Sequence, residues 1–490
     1  MDSIGMQFIN GVWTRGSGNN VRDVVNPATG KVIGKVAEGS FADVDAAVAA
    51  ARKAFDEGPW RDTPALARAS LLLKLADALQ ADMAAFAKIE TENNGKPLRE
   101  AEGDVTDAAN CFRYYAGLIT KPLGQTYDVP DAMQSMVVRE PVGVCGLIIP
   151  WNYPLLMAAW KLAPALGAGN CVIFKPAEAT PLSAIRLFEL IEKLGLPAGV
   201  ANLVLGAGEI VGARLSEHMD IDKIAFTGGT DTGRLIMKAA AGNIKKISLE
   251  LGGKSPCIVF DDADIEVAVD WALFAIFCNQ GEVCSAGSRL LLQDGIYDQF
   301  LERLVERAKQ IVVGPGDDPS TEMGPLITRE HMERVLSYIE IGKADGARLM
   351  CGGVRAAGKL SDGFFVEPTI FADCTPDMRI VREEIFGPVL AVLRFSDEAH
   401  AIKLANDSVF GLAGGVFSAD GAKALRVIRK LRSGITWINC YHPTYNEAPW
   451  GGYKQSGIGR ELGTFGLEAF TEVKQININL APGKIGWYRN

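Results

Sequence analysis

From residue 142 onward the chain alternates short unbroken apolar runs with longer stretches of helical periodicity. The runs at 142–149, 171–174, 202–205 and 223–226 read as strands, with helices at 155–166, 182–194, 211–217 and 234–241 between them. Strands without polar alternation are buried on both faces, so crossover helices must cover them, which predicts a parallel, doubly wound sheet. A second series, 255–260, 265–278, 289–292 and 297–311, repeats the pattern after a break near 250–254. The N-terminal part reads as a short strand region followed by helices. Ser40 and Asp43 supply an N-cap signal for a helix over 44–55, and 65–87 reads as one amphipathic helix. Two stretches, 127–140 and 472–480, fit neither series and look strand-like. In the second, Gln475, Asn477 and Asn479 alternate with Ile476, Ile478 and Leu480.

The 490 residues exceed what one core accommodates, so two or three domains are expected, with a junction near the break. A net charge of −9 disfavours a nucleic-acid partner, and it leans slightly toward a cationic substrate. The four histidines are scattered and form no metal-ligand spacing, so no catalytic metal is expected. Nine cysteines, an odd number without framework spacing, read as reduced thiols of a cytoplasmic protein. Met1-Asp2-Ser3-Ile4-Gly5 shows neither the basic nor the apolar region of a secretory leader. The stretch 142–160 is uncharged and nearly long enough to cross a membrane, but Pro150, Pro154, Gly143 and Gly146 break it. No membrane association is expected.

Chemistry concentrates in three blocks. Glu250-Leu251-Gly252-Gly253-Lys254-Ser255-Pro256 sets a carboxylate beside glycines that let backbone approach a ligand. Cys284 follows 34 residues after Glu250, in Asn279-Gln280-Gly281-Glu282-Val283-Cys284. A thiolate is a strong nucleophile and a carboxylate can be general base to water, so the pair suggests a covalent intermediate that is later hydrolysed. The third block, Phe226-Thr227-Gly228-Gly229-Thr230-Asp231-Thr232-Gly233, follows a predicted strand and opens a predicted helix. Glycines and free N–H groups at a helix start suit a pyrophosphate; an ordinary strand-to-helix turn is the alternative.

These blocks resemble the aldehyde dehydrogenase superfamily, and the resemblance runs from Asn26-Pro27 to Gly452-Tyr453-Lys454-Gln455-Ser456-Gly457. It implies an α/β fold of two doubly wound parallel-sheet domains plus a small β segment for oligomerisation. On that pattern 1–126 and 141–249 bind NAD, 451–471 returns to them, and 250–450 is catalytic. Segments 127–140 and 472–490 would pair between subunits of a homodimer or homotetramer, since such strand edges need cover. The resemblance makes Cys284 the nucleophile and Glu250 the base. Asn152, between Pro150 and Pro154, becomes the oxyanion donor together with the Cys284 N–H. Lys161 either assists proton relay or is a helix-surface charge. The implied reaction runs from thiohemiacetal through hydride loss and thioester to a free acid.

For the cofactor, the resemblance assigns Ile149, Trp151, Gly208 and Gly212 to the dinucleotide crevice. Phe226, Gly228, Gly229, Gly233 and Leu251 complete it around the third block. Lys175 and Glu178 fall where the family holds the adenosine ribose. A carboxylate there accepts from ribose hydroxyls and repels a 2′-phosphate, which favours NAD over NADP. Glu384 would hold the nicotinamide ribose, and Phe386 would pack near the ring.

Tyr153, Trp160 and Trp450 fall where the family lines its substrate tunnel, with Tyr445 near the mouth. Such faces attract an ammonium by roughly 0.5–2 kcal/mol. Asp104 and Asp107 share a face of a predicted helix and look like the tunnel-entrance aspartates of betaine-aldehyde and aminoaldehyde dehydrogenases. Cys278 stands where those enzymes often carry another aromatic, which leaves the cage incomplete. The expected function is NAD-dependent oxidation of amino- or trimethylammonio-aldehydes. The alternatives are a broad aliphatic or aromatic aldehyde dehydrogenase, and a non-catalytic structural protein with the same fold.

Overall fold

The computed structural model describes residues 4–121 and 124–488. Residues 1–3, part of the stretch read as lacking a leader, and the last two residues of 472–490 lie outside them.

The first alternating series forms an eight-stranded sheet. Its middle is five parallel strands in the order Lys246–Glu250, Lys223–Thr227, Val144–Ile148, Cys171–Lys175 and Ala201–Leu203. All but Lys246–Glu250 are buried along their whole length, as crossover helices on both faces require. Short antiparallel strands close the edges: Gln7–Ile9 and Val12–Thr14 on one side, Gly457–Ile458 on the other. The chain thus returns to this sheet near its end. The second series forms a seven-stranded sheet in which Val389–Phe395, Arg289–Gln293, Pro256–Val259 and Ala413–Phe417 run parallel at the centre. Two apolar clusters fill the interior, the second lying wholly against the seven-stranded sheet.

The stretches that fitted neither series pair with each other. Thr471–Asn479 lies antiparallel to Met133–Pro141 over nine residues, and Gln125–Tyr127 adds a third strand. Val473 and Leu480 remain exposed on this small sheet.

Local signals decide most helix ends. Ser40 and Asp43 form a reciprocal capping box at the start of Phe41–Asp56. The single helix expected over 65–87 is instead two, Ala65–Ala81 and Met83–Asn94. The break falls at Asp82, whose carboxylate takes the Arg186 guanidinium through bonds of 2.5 and 2.8 Å. That partner lies on the distant helix Leu182–Lys193, so no neighbouring residue announces the interruption. The helix expected over 211–217 begins earlier, as a wide turn at Gly208–Gly212 continuing into Ala213–Glu217. Residues 142–160 form strand, turn and helix, and no helix among the described residues is long and apolar enough to cross a membrane.

Candidate active site

Three adjacent parallel strands end together. The loops after Val144–Ile148, Lys223–Thr227 and Lys246–Glu250 open at their carboxyl ends, the usual place for ligands in such sheets. There they meet the loop before Arg289–Gln293, and a cavity of about 720 Å³ lies between. Asn152, Glu250 and Cys284 all line it.

Cys284 follows a turn whose backbone is left-handed at Asn279, Gln280 and Gly281, with φ of 45°, 54° and 75°. A side chain at Gly281 would collide with the Gly387 carbonyl, its Cβ only 2.3 Å away. The loop is stitched to the oxyanion candidate: Asn152 Nδ2 donates to the Glu282 carbonyl at 2.8 Å, and Asn279 Nδ2 donates to the Asn152 carbonyl at 3.1 Å. One N–H of the Asn152 amide is thus fixed in place, which orients the other. Burial pushes the Cys284 thiol up to about 12, with Glu250 and then Glu384 adding to the effect.

Glu250 is buried, and neither carboxylate oxygen has a hydrogen-bond partner. Burial holds its carboxyl well above the ordinary range; Glu461 raises it further while Lys161 and Arg460 oppose. Lys161 is no surface charge: it is fully buried, donates to Thr227 Oγ1 at 2.7 Å and pairs with Glu461. Glu461 was not singled out in the sequence. It lies four residues past the last matching block, and its backbone pairing with Trp450 brings it to the cavity. An unpartnered buried carboxylate backed by a Lys–Glu pair is a group whose protonation can change during a reaction.

The cavity also holds six of the thirteen cofactor candidates. Trp151, Gly228, Gly229, Leu251, Glu384 and Phe386 line it. Helix Thr230–Ala240 starts at Gly229 with no side-chain cap, and Thr230 Oγ1 is buried without a partner. Glu384 accepts the Gly253 N–H at 2.9 Å, and a Cβ on Gly252 would lie 2.1 Å from its other oxygen. Burial raises that carboxyl to about 7. Trp151 packs edge-on to both Phe386 and His331 at 5.3 Å. His331, another residue not singled out, binds the Phe386 carbonyl at 2.6 Å and holds that residue in its positive-φ geometry.

The remaining cofactor candidates lie off the cavity. Lys175 is buried and donates to its neighbour Pro176 at 2.9 Å; it also approaches Glu178 at 3.4 Å, and Gly208 N–H reaches the other Glu178 oxygen at 3.4 Å. Burial raises the Glu178 carboxyl, but Lys175 and backbone N–H groups outweigh it and leave the group lowered, hence ionised. A Cβ on Gly212 would lie 3.8 Å from the Lys175 chain, and Ile149 N–H bonds the Lys175 carbonyl at 3.1 Å. Phe226 and Gly233 serve packing: a Cβ on Gly228 would strike the buried Phe226 ring, and one on Gly233 would strike Leu251.

On the substrate side, Trp160 and Trp450 meet edge to face at 5.5 Å with Tyr153 beside them. Trp271 and Phe274, three apart on helix Ile265–Phe277, extend this wall; their spacing ahead of the Cys284 loop was a readable signal. Two expectations need correction. Tyr445 does not line the cavity: it is 63% exposed, and its neighbours Thr444 and Asn446 point inward instead, because the segment turns there. Asp104 lines the cavity but is not a free tunnel charge, since it is buried and ion-paired with the fully buried Lys96. Asp107, one turn on, is exposed at the cavity and makes no ion pair among the described residues.

Residues 13–476 match the sequence profile of the Aldehyde dehydrogenase family, and the chain belongs to that family. It is 52% identical to a betaine aldehyde dehydrogenase of Bacillus subtilis over 486 residues, covering 99% of each chain. It is also 48% identical to human retinal dehydrogenase 2 over 476 residues, 96% of this chain and 91% of that one. The solved structure of betaine aldehyde dehydrogenase from Staphylococcus aureus in complex with NAD+ superposes with a TM-score of 0.98 at 48% identity, covering 99% of this chain and 97% of that one.

Proposed function

We propose that the protein oxidises an aldehyde to its free carboxylic acid with NAD+, through a thioester on Cys284, and that its substrates are amino- or trimethylammonio-aldehydes. The observation that carries the chemistry is the pairing of Cys284 with an unpartnered buried Glu250 in one cavity. The residues fit a dinucleotide: the helix at Gly229 offers uncapped N–H groups, and Glu178 and Glu384 present carboxylates for ribose hydroxyls. NAD+ supplies the hydride acceptor. Cys284 Sγ adds to the carbonyl carbon as its proton passes to Glu250, and the second Asn152 N–H and the Cys284 N–H take the oxyanion. Glu250 has no direct bond to the Lys161–Thr227–Glu461 group, so it sheds that proton toward this group through a bridging water. Ionised again, Glu250 takes a proton from water as the water attacks the thioester.

Glu461 gives this assignment a pH signature. Its charge raises Glu250, so Glu461→Gln lowers the pH at which Glu250 ionises. The acid limb of the kcat profile is expected to move to lower pH; a limb that stays or moves up would remove Glu250 from the rate-limiting proton transfer.

The acidic wall and the Trp160–Trp450 corner support the cationic substrate. With Asp104 already paired, Asp107 is the free entrance charge. Asp107→Asn is expected to lower kcat/KM for aminobutyraldehyde by about two- to fivefold, an exposed-charge effect, and to leave hexanal unchanged. Asp104→Asn removes the carboxylate bonded to buried Lys96 and costs about 3–5 kcal/mol of stability, measured by urea unfolding. The apolar extension by Trp271 and Phe274 favours the second reading, a broad aliphatic or aromatic aldehyde dehydrogenase. Comparing kcat/KM for betaine aldehyde, aminobutyraldehyde, hexanal and benzaldehyde decides between the two. The exposed residues of the three-stranded sheet support a homodimer or homotetramer, and nine cysteines without a disulfide support a cytoplasmic location.

A further inference from the structure

Two walls of the cavity must keep a fixed separation, and one segment ties them together. One wall is the loop 279–284 that carries Cys284; the other is the block 384–387, expected to meet the nicotinamide ribose and ring. Residues 324–335, a loop and the start of helix Arg329–Ala344, bond to both. Toward the Cys284 loop, Gly324 N–H donates to Gln280 Oε1 at 3.3 Å and Ile327 N–H donates to Glu282 Oε1 at 3.0 Å. Toward the block, Arg334 Nη2 donates to the Glu384 carbonyl at 3.1 Å and His331 Nε2 donates to the Phe386 carbonyl at 2.6 Å. Nε2 therefore carries the imidazole proton, because a carbonyl only accepts. Thr328 Oγ1 caps the helix on the His331 N–H at 3.1 Å, and a Cβ on Gly387 would lie 2.7 Å from the Val335 side chain.

Phe386 needs such a tie. Its φ of 63° is left-handed, which costs a non-glycine residue roughly 1–3 kcal/mol and persists only where the surroundings over-determine it. Among the described residues its carbonyl has one hydrogen-bond partner, His331. Asn152 and the Cys284 loop are held by different bonds, Asn152 Nδ2 to the Glu282 carbonyl and Asn279 Nδ2 to the Asn152 carbonyl. Glu282 Oε1 lies 3.7 Å from His331 Nε2, beyond bonding reach. We propose that His331 is a positioning residue for hydride transfer, acting through the Phe386 carbonyl to set where the nicotinamide lies against the carbon bound to Cys284. In that step the oxyanion re-forms its C=O as the C–H electron pair leaves with its hydrogen for NAD+, giving the thioester and NADH. A misplacement of about 1 Å at such a step costs on the order of 10²-fold. Attack by Cys284 and hydrolysis by Glu250 involve neither Phe386 nor His331. The proposal rests on the Cys284 and NAD+ reading above and assigns the hydride geometry to one imidazole.

His331→Ala, His331→Asn and His331→Gln test this. The glutamine amide nitrogen falls where the imidazole Nε2 was and can donate to the same carbonyl; the shorter asparagine amide falls at the Nδ1 position and cannot. With saturating NAD+ and aminobutyraldehyde or hexanal, whichever turns over faster, rapid mixing reads the first turnover. NADH formation there is expected to fall by about 10- to 100-fold in the alanine and asparagine variants and by less than about threefold in the glutamine variant. p-Nitrophenyl acetate acylates Cys284 and leaves by hydrolysis with no hydride step. Its turnover by the cofactor-free enzyme should stay within about twofold of wild type in all three variants. Should His331→Ala fail to fold, His331→Asn, which keeps a polar side chain there, gives the same reading. First-turnover NADH formation at the wild-type rate in the alanine or asparagine variant overturns the proposal. An equal loss of ester hydrolysis, the mark of general distortion, also overturns it, as does a glutamine variant no faster than the asparagine one. A wild-type enzyme that forms no NADH with any aldehyde overturns the oxidation reading instead.

Discussion

Cys284→Ala is expected to retain NAD+ binding and to lose dehydrogenase turnover, with kcat reduced by about 10⁴-fold or more. The size of the effect follows from the absence of a substitute. Cys278 lines the same cavity, but burial and then Glu100 and Asp104 hold its thiol well above the ordinary range. A thiol in that setting supplies almost no thiolate near neutrality. Cys284 starts high as well, yet it stands beside Glu250, which can accept its proton, and beside donors placed for the oxyanion. Aldehyde-dependent NADH absorbance measures the outcome. Residual activity above about one per cent of wild type would assign the nucleophile to another group.

Glu250→Gln should separate the two halves of the reaction. Acylation of Cys284 needs only one proton transfer, which solvent can accept slowly, whereas hydrolysis needs an activated water at every turnover. Rapid mixing is expected to show about one equivalent of NADH per site, followed by a steady rate about 10³-fold below wild type. A linear trace at wild-type rate would show that Glu250 does not activate water. Unfolding cannot mimic this result, because the substitution favours the fold. With its folded-state pKa raised, the Glu250 carboxyl contributes stability that is complete below the unfolded value of about 4.5 and lost as pH rises through the folded value. Glutamine titrates in neither state, so the variant should melt higher than wild type at about pH 8 and gain less at about pH 5. Thermal melts at the two pH values check the sign.

The parallel sheets were legible because their strands are buried on both faces, so apolar runs such as 171–174 and 223–226 carry no competing polar signal. The reactive pair was legible because Glu250 and Cys284 sit in distinctive local blocks whose glycines and left-handed turn admit few alternatives. The break at Asp82 was not, since a propensity reading finds nothing there and the interruption comes from Arg186 on another helix. Glu461 escaped for the same reason: nothing beside it tells that it meets Lys161 three hundred residues earlier.

Sequence by itself thus determined the alternation that builds both sheets, the family, and the blocks whose Glu250 and Cys284 meet at one cavity, because each depends on periods and neighbours a few residues long. Only the tertiary structure decided the charges of the tunnel. Whether Asp104 attracts a substrate or answers Lys96, and whether Tyr445 faces inward, depends on long-range pairing and on how a loop turns. A carboxylate looks the same in sequence whether water or a buried ammonium surrounds it, and only folding chooses between them.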